Sequence, residues 1–130
     1  MAVGYNQRKG TDYNETHSPV VKSKVVRLLL AMSAVLGMSV EQLDVDTAYL
    51  YGTLSETNYM KLPQGFEEVD DDGNPLVGKL IKSLYGLRQS GREWYKTLKE
   101  YLESIGFTSL KSDSCTFYRI DPKTKALELY

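Results

Sequence analysis

The sequence holds one cysteine, Cys115, and one histidine, His17. A lone cysteine closes no internal disulfide, so a reducing compartment is expected. No Ser, Cys or Asp is placed to make His17, in "NETHSPVV", part of a nucleophilic relay, and it reads as a solvated or capping residue. Neither sign of charge prevails: 16 Lys and Arg stand against 17 Asp and Glu, for a net charge of -1. That balance argues against a free-standing nucleic-acid binder, whose footprint is basic overall, and leaves room only for a local basic face. Long apolar runs are missing too. The stretch from Val25 to Leu36 is interrupted by Arg27 and Ser33 and is too short to span a bilayer. "MAVGYNQRKG" has no apolar core of a secretory signal. No internal repeat or low-complexity tract is present. The expectation is an intracellular, cytoplasmic protein that is neither secreted nor membrane-bound.

What remains is globular. The 130 residues are 42% hydrophobic and 25% charged, which suits one domain, 1–130, around one core. Residues 1–24 are polar and rich in turn formers. "SKVVRLLLAMSAVLGMS" is a helix, with Ser23 as N-cap and Gly37 as its stop. Its apolar residues cover most of the circumference, which predicts a central helix buried on several sides. "VEQLDVD" alternates, with Leu43 and Val45 on one face and Asp44 and Asp46 on the other, and reads as a strand. "TAYLYG" turns, "NYMKLP" and "KLIKSLYG" are strands, and "QGFEEVDDDGNPLVG" is a loop. Ser90 and Glu93 have capping-box spacing ahead of a stripe of Trp94, Leu98, Tyr101, Leu102 and Ile105, and Gly106 ends that helix. "CTFYRI" and "ALELY" flank the turn "DPKTK" as a hairpin. The sum is an α+β fold, with two main helices packed on one face of a mostly antiparallel sheet.

Asp44 and Asp46 project from one strand face, where carboxylates are hard oxygen ligands for Mg²⁺. Two-metal phosphoryl-transfer sites use such aspartates. The spacing alone is common, and taken by itself it is better accounted for by a solvated polar face. The surrounding order of motifs is more specific. "QLDVDTAYLYG", "YMKLPQGF" and "KLIKSLYGLRQSGREWY" follow one another, preceded by "GYNQRKGTDYNETHSPVVKSKVVRLLLAMSA" and followed by "GFTSLKSDSCTFYR". In that order they resemble the reverse transcriptase of copia-type (Pseudoviridae) retrotransposons across nearly the whole chain.

The resemblance implies a partial polymerase fingers and palm region. It implies that Asp44 is the first catalytic, metal-binding aspartate, with the Val45 carbonyl beside the same metal and Mg²⁺ as cofactor. Asp46 falls on no catalytic position. Tyr49 falls on the aromatic that stacks under the sugar and excludes a 2′-hydroxyl. Gly86, Arg88, Gln89 and Arg92 fall on the turn into a helix that lines the nucleotide and template pocket. There a glycine permits close approach and helix N–H groups with positive charge suit phosphate. The implied partners are an RNA or DNA template-primer and deoxynucleotides, and the implied location is a cytoplasmic virus-like particle. "LPQGF" resembles the turn retroviral polymerases use for the second motif, but here it comes too early and reads as a connecting turn. The acidic run Asp70, Asp71 and Asp72 reads as a solvated loop.

The pattern also departs from the family. No Tyr-x-Asp-Asp follows "ALELY" before the sequence stops at Tyr130, and Val3 stands where the family has lysine. One of three metal-binding carboxylates is supplied, so the chain is expected to be inactive alone. A domesticated remnant acting as a protein-interaction module is the alternative, with self-association through the edge left beside "ALELY".

Overall fold

The computed structural model describes residues 4–130, and Val3 lies outside them. The chain is a mixed α+β protein, as the periodicities predict, with helices α1 (Ser23–Leu36) and α2 (Ser90–Ser104). Its strands pair antiparallel but divide between two small sheets, where the sequence suggested one. Two compact units are formed. One comprises Met1–His17 with Thr47–Thr97, the other Ser18–Asp46 with Leu98–Tyr130.

In the first unit β1 (Thr53–Lys61) pairs with β2 (Val77–Lys82), with an irregularity in register between Thr53 and Asn58. "LPQGF" is a connecting turn after β1. Phe66 N–H donates to the Pro63 carbonyl at 3.0 Å, and Gly65 takes a left-handed φ of 88°. The acidic run is exposed. Within it the Asp70 carboxylate accepts the backbone N–H of Asn74 at 2.8 Å and of Asp72 at 3.1 Å. Those donors, Asn74 first, hold the Asp70 carboxyl below its ordinary value of 3.8. The fully buried residues of this unit are mostly polar: Asn58, Ser83, Gln89, Ser90 and Glu93.

In the second unit β3 (Thr108–Ser109), β4 (Phe117–Ile120) and β5 (Leu127–Leu129) form one sheet in that order. The hairpin turn is fixed by Asp121, whose carboxylate accepts the N–H groups of Lys123 and Thr124 at 2.6 and 3.0 Å. Leu102 and Phe117, 3% and 2% exposed, are the buried hydrophobic residues among those described. The buried Asp113 carboxylate accepts N–H bonds from Lys22 at 3.3 Å and Cys115 at 2.9 Å, fastening the start of α1 to the turn before β4. Cys115 is half-buried. Desolvation, then the charge of Asp113, pushes its thiol above the ordinary value.

Both helix stops fall on the expected glycines, Gly37 and Gly106, at φ 64° and 92°. At Gly106 the paired bonds of a Schellman stop are present: Phe107 N–H to the Leu102 carbonyl at 2.9 Å, and Gly106 N–H to Glu103 at 3.0 Å. Three local expectations need correction. The N-cap of α1 is Lys22, not Ser23, and it makes no side-chain cap. The Ser90–Glu93 capping box does not form, because both side chains are taken by other partners. Ser90 donates to the Leu84 carbonyl at 2.5 Å, while the Glu93 carboxylate accepts Lys96 at 3.1 Å and Ser55 at 3.3 Å. Finally, α1 is not a buried helix: none of its residues is buried, and Leu28, Leu30, Val35 and Leu36 are all exposed. Periodicity shows which surface a helix offers, and the described residues bring too little apolar surface to cover this one.

Candidate functional site

The turn "LYGLRQSG" is built by two glycines from distant parts of the sequence. Gly86 sits at φ 99°, where a side chain would be strained. Gly4, in a short 3-10 turn (Gly4–Asn6), packs against it. A Cβ on residue 4 would lie 2.0 Å from the Gly86 carbonyl oxygen, so only glycine fits.

Arg88 and Gln89 secure the same junction. The Arg88 guanidinium donates through Nε to the Gly4 carbonyl at 2.9 Å and lies 5.7 Å from the centre of the Tyr13 ring. The Arg88 backbone N–H donates to Gln7 Oε1 at 2.8 Å. Gln89 is 0% exposed. Its Oε1 accepts from Gln7 Nε2 at 2.9 Å and its Nε2 donates to the Asp12 carbonyl at 3.1 Å. Gln7 Nε2 also reaches Asn58 Oδ1 at 3.4 Å. Motif reading picked out Arg88 and Gln89 but missed Gln7. A glutamine in a polar loop gives no signal when its partner stands 82 residues away.

Arg92, in the first turn of α2, pairs with the Glu15 carboxylate. Both face an open hollow of about 580 Å³ that Lys9, Tyr13 and the exposed His17 also line. The positive charge of Arg92 is thus already matched, while Lys9 leaves a basic group at the rim.

Tyr49 lies in the 3-10 turn Ala48–Tyr51, and its ring packs at 4.8 Å and 50° on Tyr85, the residue before Gly86. That places Tyr49 beside the glycine turn of the same unit. Gly52 follows. Its carbonyl accepts the Ser83 N–H at 2.8 Å, and a Cβ there would meet Glu93 at 3.1 Å. Trp94 is half-buried beside Tyr51, with ring centres 6.3 Å apart. Thr47 opens this turn at φ 53°, ψ 34°, a left-handed conformation unusual for a β-branched residue.

Asp44 and Val45 belong to the second unit. The strand expected there is absent. Residues 39–45 are irregular and exposed, because none of the described strands pairs with them and alternation without a partner makes no ladder. Asp44 therefore presents a solvated carboxylate. The donor set does not fit a protein-held metal: among the described residues no group of three or more His, Cys, Asp or Glu could hold an ion. Nor is any helix among them long and apolar enough to cross a membrane.

The contacts that tie "GYNQRKG" to "LYGLRQSG", and set an aromatic from "DVDTAYLYG" beside that turn, join segments that all lie within a single family match. Residues 1–129 match the reverse transcriptase (RNA-dependent DNA polymerase) family, and the chain belongs to it. Its curated relatives are of the copia type. It is 47% identical over 90% of its length to the "Retrovirus-related Pol polyprotein from transposon RE1" of Arabidopsis thaliana. It is 43% identical over 92% of its length to that from transposon TNT 1-94 of Nicotiana tabacum, and 34% identical over 85% to the "Transposon Ty1-ER2 Gag-Pol polyprotein" of Saccharomyces cerevisiae. The chain spans 8%, 9% and 6% of those relatives respectively. No solved structure matches it.

Proposed function

We propose that this chain is a fingers and palm segment of a copia-type RNA-directed DNA polymerase and that it does not polymerise by itself. The match of residues 1–129 to the family carries this reading. In it Asp44 is the first metal-binding carboxylate of the polymerase, with the Val45 carbonyl beside it, and Mg²⁺ is the ion. Tyr49 is the sugar-facing aromatic. Gly86, Arg88, Gln89 and Arg92 belong to the turn that lines the nucleotide and template pocket. The role of Asp44 requires companion carboxylates. The sequence offers no Tyr-x-Asp-Asp, and a hydrated Mg²⁺ gains little from one or two protein oxygens. Groups that act as a unit lose most of their rate enhancement when some are missing. The natural ligands are a template-primer and deoxynucleotides, and the setting is cytoplasmic.

The experiment is primer extension with the chain, Mg²⁺ and deoxynucleotides. No incorporation is expected. Incorporation that disappears in Asp44→Ala would show that the chain completes a site and would overturn the reading.

A second reading, a protein-interaction module, is favoured by the uncovered apolar surface of α1. The occupant it names is a second copy of the chain, recruited there and at the free edge of β5. Sedimentation at several concentrations tests it, and a monomer at all of them would exclude it.

A further inference from the structure

We infer that Gln7 and Gln89 are a positioning pair, whose joined amides hold the segment from Gly4 to Tyr13 on the 84–89 turn. This rests on the reading that the turn lines the nucleotide and template pocket, but its structural content stands separately. In that reading Gln89 belongs with the groups that meet substrate. Its geometry describes a different task. The side chain is fully buried, and both polar atoms of its amide are engaged within the chain: Oε1 by Gln7 and Nε2 by the Asp12 carbonyl. A buried amide with both ends satisfied has no exposed donor for a phosphate or a base, and freeing one would leave a buried polar group unpaired.

The pair links three consequences. Gln7 turns its Oε1 to the Arg88 N–H at 2.8 Å, so the backbone beside Gly86 is anchored from the far segment. The Gly4 carbonyl, carried on that segment, accepts the Arg88 guanidinium and aims it along the Tyr13 ring. Gly4 itself closes on the Gly86 carbonyl with no room for a methyl group. Where Arg88 points is therefore set by Gln7 and Gln89, neither of which needs to touch a ligand. Amide–amide pairing suits this task. Each glutamine both donates and accepts, so the pair fixes the register of two segments without burying a charge.

The test uses Gln7→Met, Gln89→Met and the double variant, which keep side-chain volume and remove the amides. Two readouts are taken on the full chain. The first is the rate of tryptic cleavage after Arg8 and Lys9, with Lys111 and Lys123 in the second unit as internal controls. Each single variant should speed cleavage after Arg8 and Lys9 by roughly fivefold or more, as expected for losing two or three partly buried hydrogen bonds that gate a local opening. The double variant should be accelerated by clearly less than the product of the two single effects, because both single variants already remove the shared Gln7–Gln89 bond. Cleavage at the control sites should not change. The second readout is binding of a fluorescent oligo-dT, which both single variants should weaken to a similar degree.

Additive effects on cleavage, or equal acceleration at Lys111 and Lys123, would overturn the pair as a local clamp. If Gln89→Met alone weakened oligonucleotide binding, with cleavage after Arg8 and Lys9 unchanged, Gln89 would be a ligand contact and the inference wrong. Should the unaltered chain bind no oligonucleotide, the pocket reading fails for the isolated chain, while the cleavage rates still decide whether the clamp exists.

Discussion

Truncating Phe117 to alanine should unfold the second unit. Phe117 and Leu102 are the buried hydrophobic residues among those described, so the apolar core of this unit is small and has little surplus. A buried Phe→Ala change costs about 3–5 kcal/mol in lost transfer energy and residual cavity. A whole domain is stable by only about 5–15 kcal/mol. Phe117 also exchanges both backbone bonds with Tyr130, N–H to carbonyl at 2.8 Å in each direction, and pairs with Ser109 on the other side. Loosening its ring therefore frees β4 from β5 as well. For a chain of this length about 1 kcal/mol corresponds to roughly 4 °C, so the expected fall in Tm is about 12–20 °C. Phe117→Leu, which keeps most of the volume, should cost about 1–2 kcal/mol. The exposed Tyr101→Ala serves as a control and should change stability by less than about 0.5 kcal/mol. Thermal melting followed by far-ultraviolet circular dichroism reads all three, and tryptic cleavage after Arg119 reports the release of β4, the central strand, directly. A Phe117→Ala protein melting within about 4 °C of the parent would refute the argument, since it would mean the unit draws its stability from elsewhere than this core.

Two further outcomes follow from backbone and charge. Thr47→Gly should raise stability by up to about 1.5 kcal/mol: it relieves a left-handed β-branched residue, worth about 1–2 kcal/mol, against roughly 0.5–1 kcal/mol of added chain entropy, and a loss on chemical denaturation would show that the threonine side chain makes a contact worth more than the strain. The folded Asp70 carboxyl titrates below its ordinary 3.8, so the stability its turn confers is fully present above that value and is lost as pH falls through the lower folded one; in an NMR titration Asn74→Ala, which removes one donor and keeps the backbone N–H, should move Asp70 part of the way back up, and an unmoved titration would assign the shift to another cause.

Much about this protein is written locally. Gly37 and Gly106 stop their helices because a left-handed residue is needed there and the chain offers glycine. "DPKTK" makes a hairpin because Asp121 can satisfy the turn's own N–H groups. The order of short motifs is legible in the same way, since each is a run of neighbouring residues, and it names the family. What the tertiary structure alone decided are the matters of partnership. Ser90 and Glu93 have the spacing of a capping box, yet Ser90 bonds to Leu84 and Ser83 and Glu93 to the distant Ser55. "VEQLDVD" alternates like a strand, but a strand exists only when another pairs with it, and Asp44 stays in irregular chain. The residues around α1 look like a core and remain exposed, because burial belongs to the covering surface as much as to the helix. Gln89 stands at the mouth of a helix, and only the fold shows that its amide is buried and bonded to Gln7 and the Asp12 carbonyl. The interaction that fixes it spans 82 residues, and pairing at that range depends on chain closure in three dimensions rather than on any local pattern.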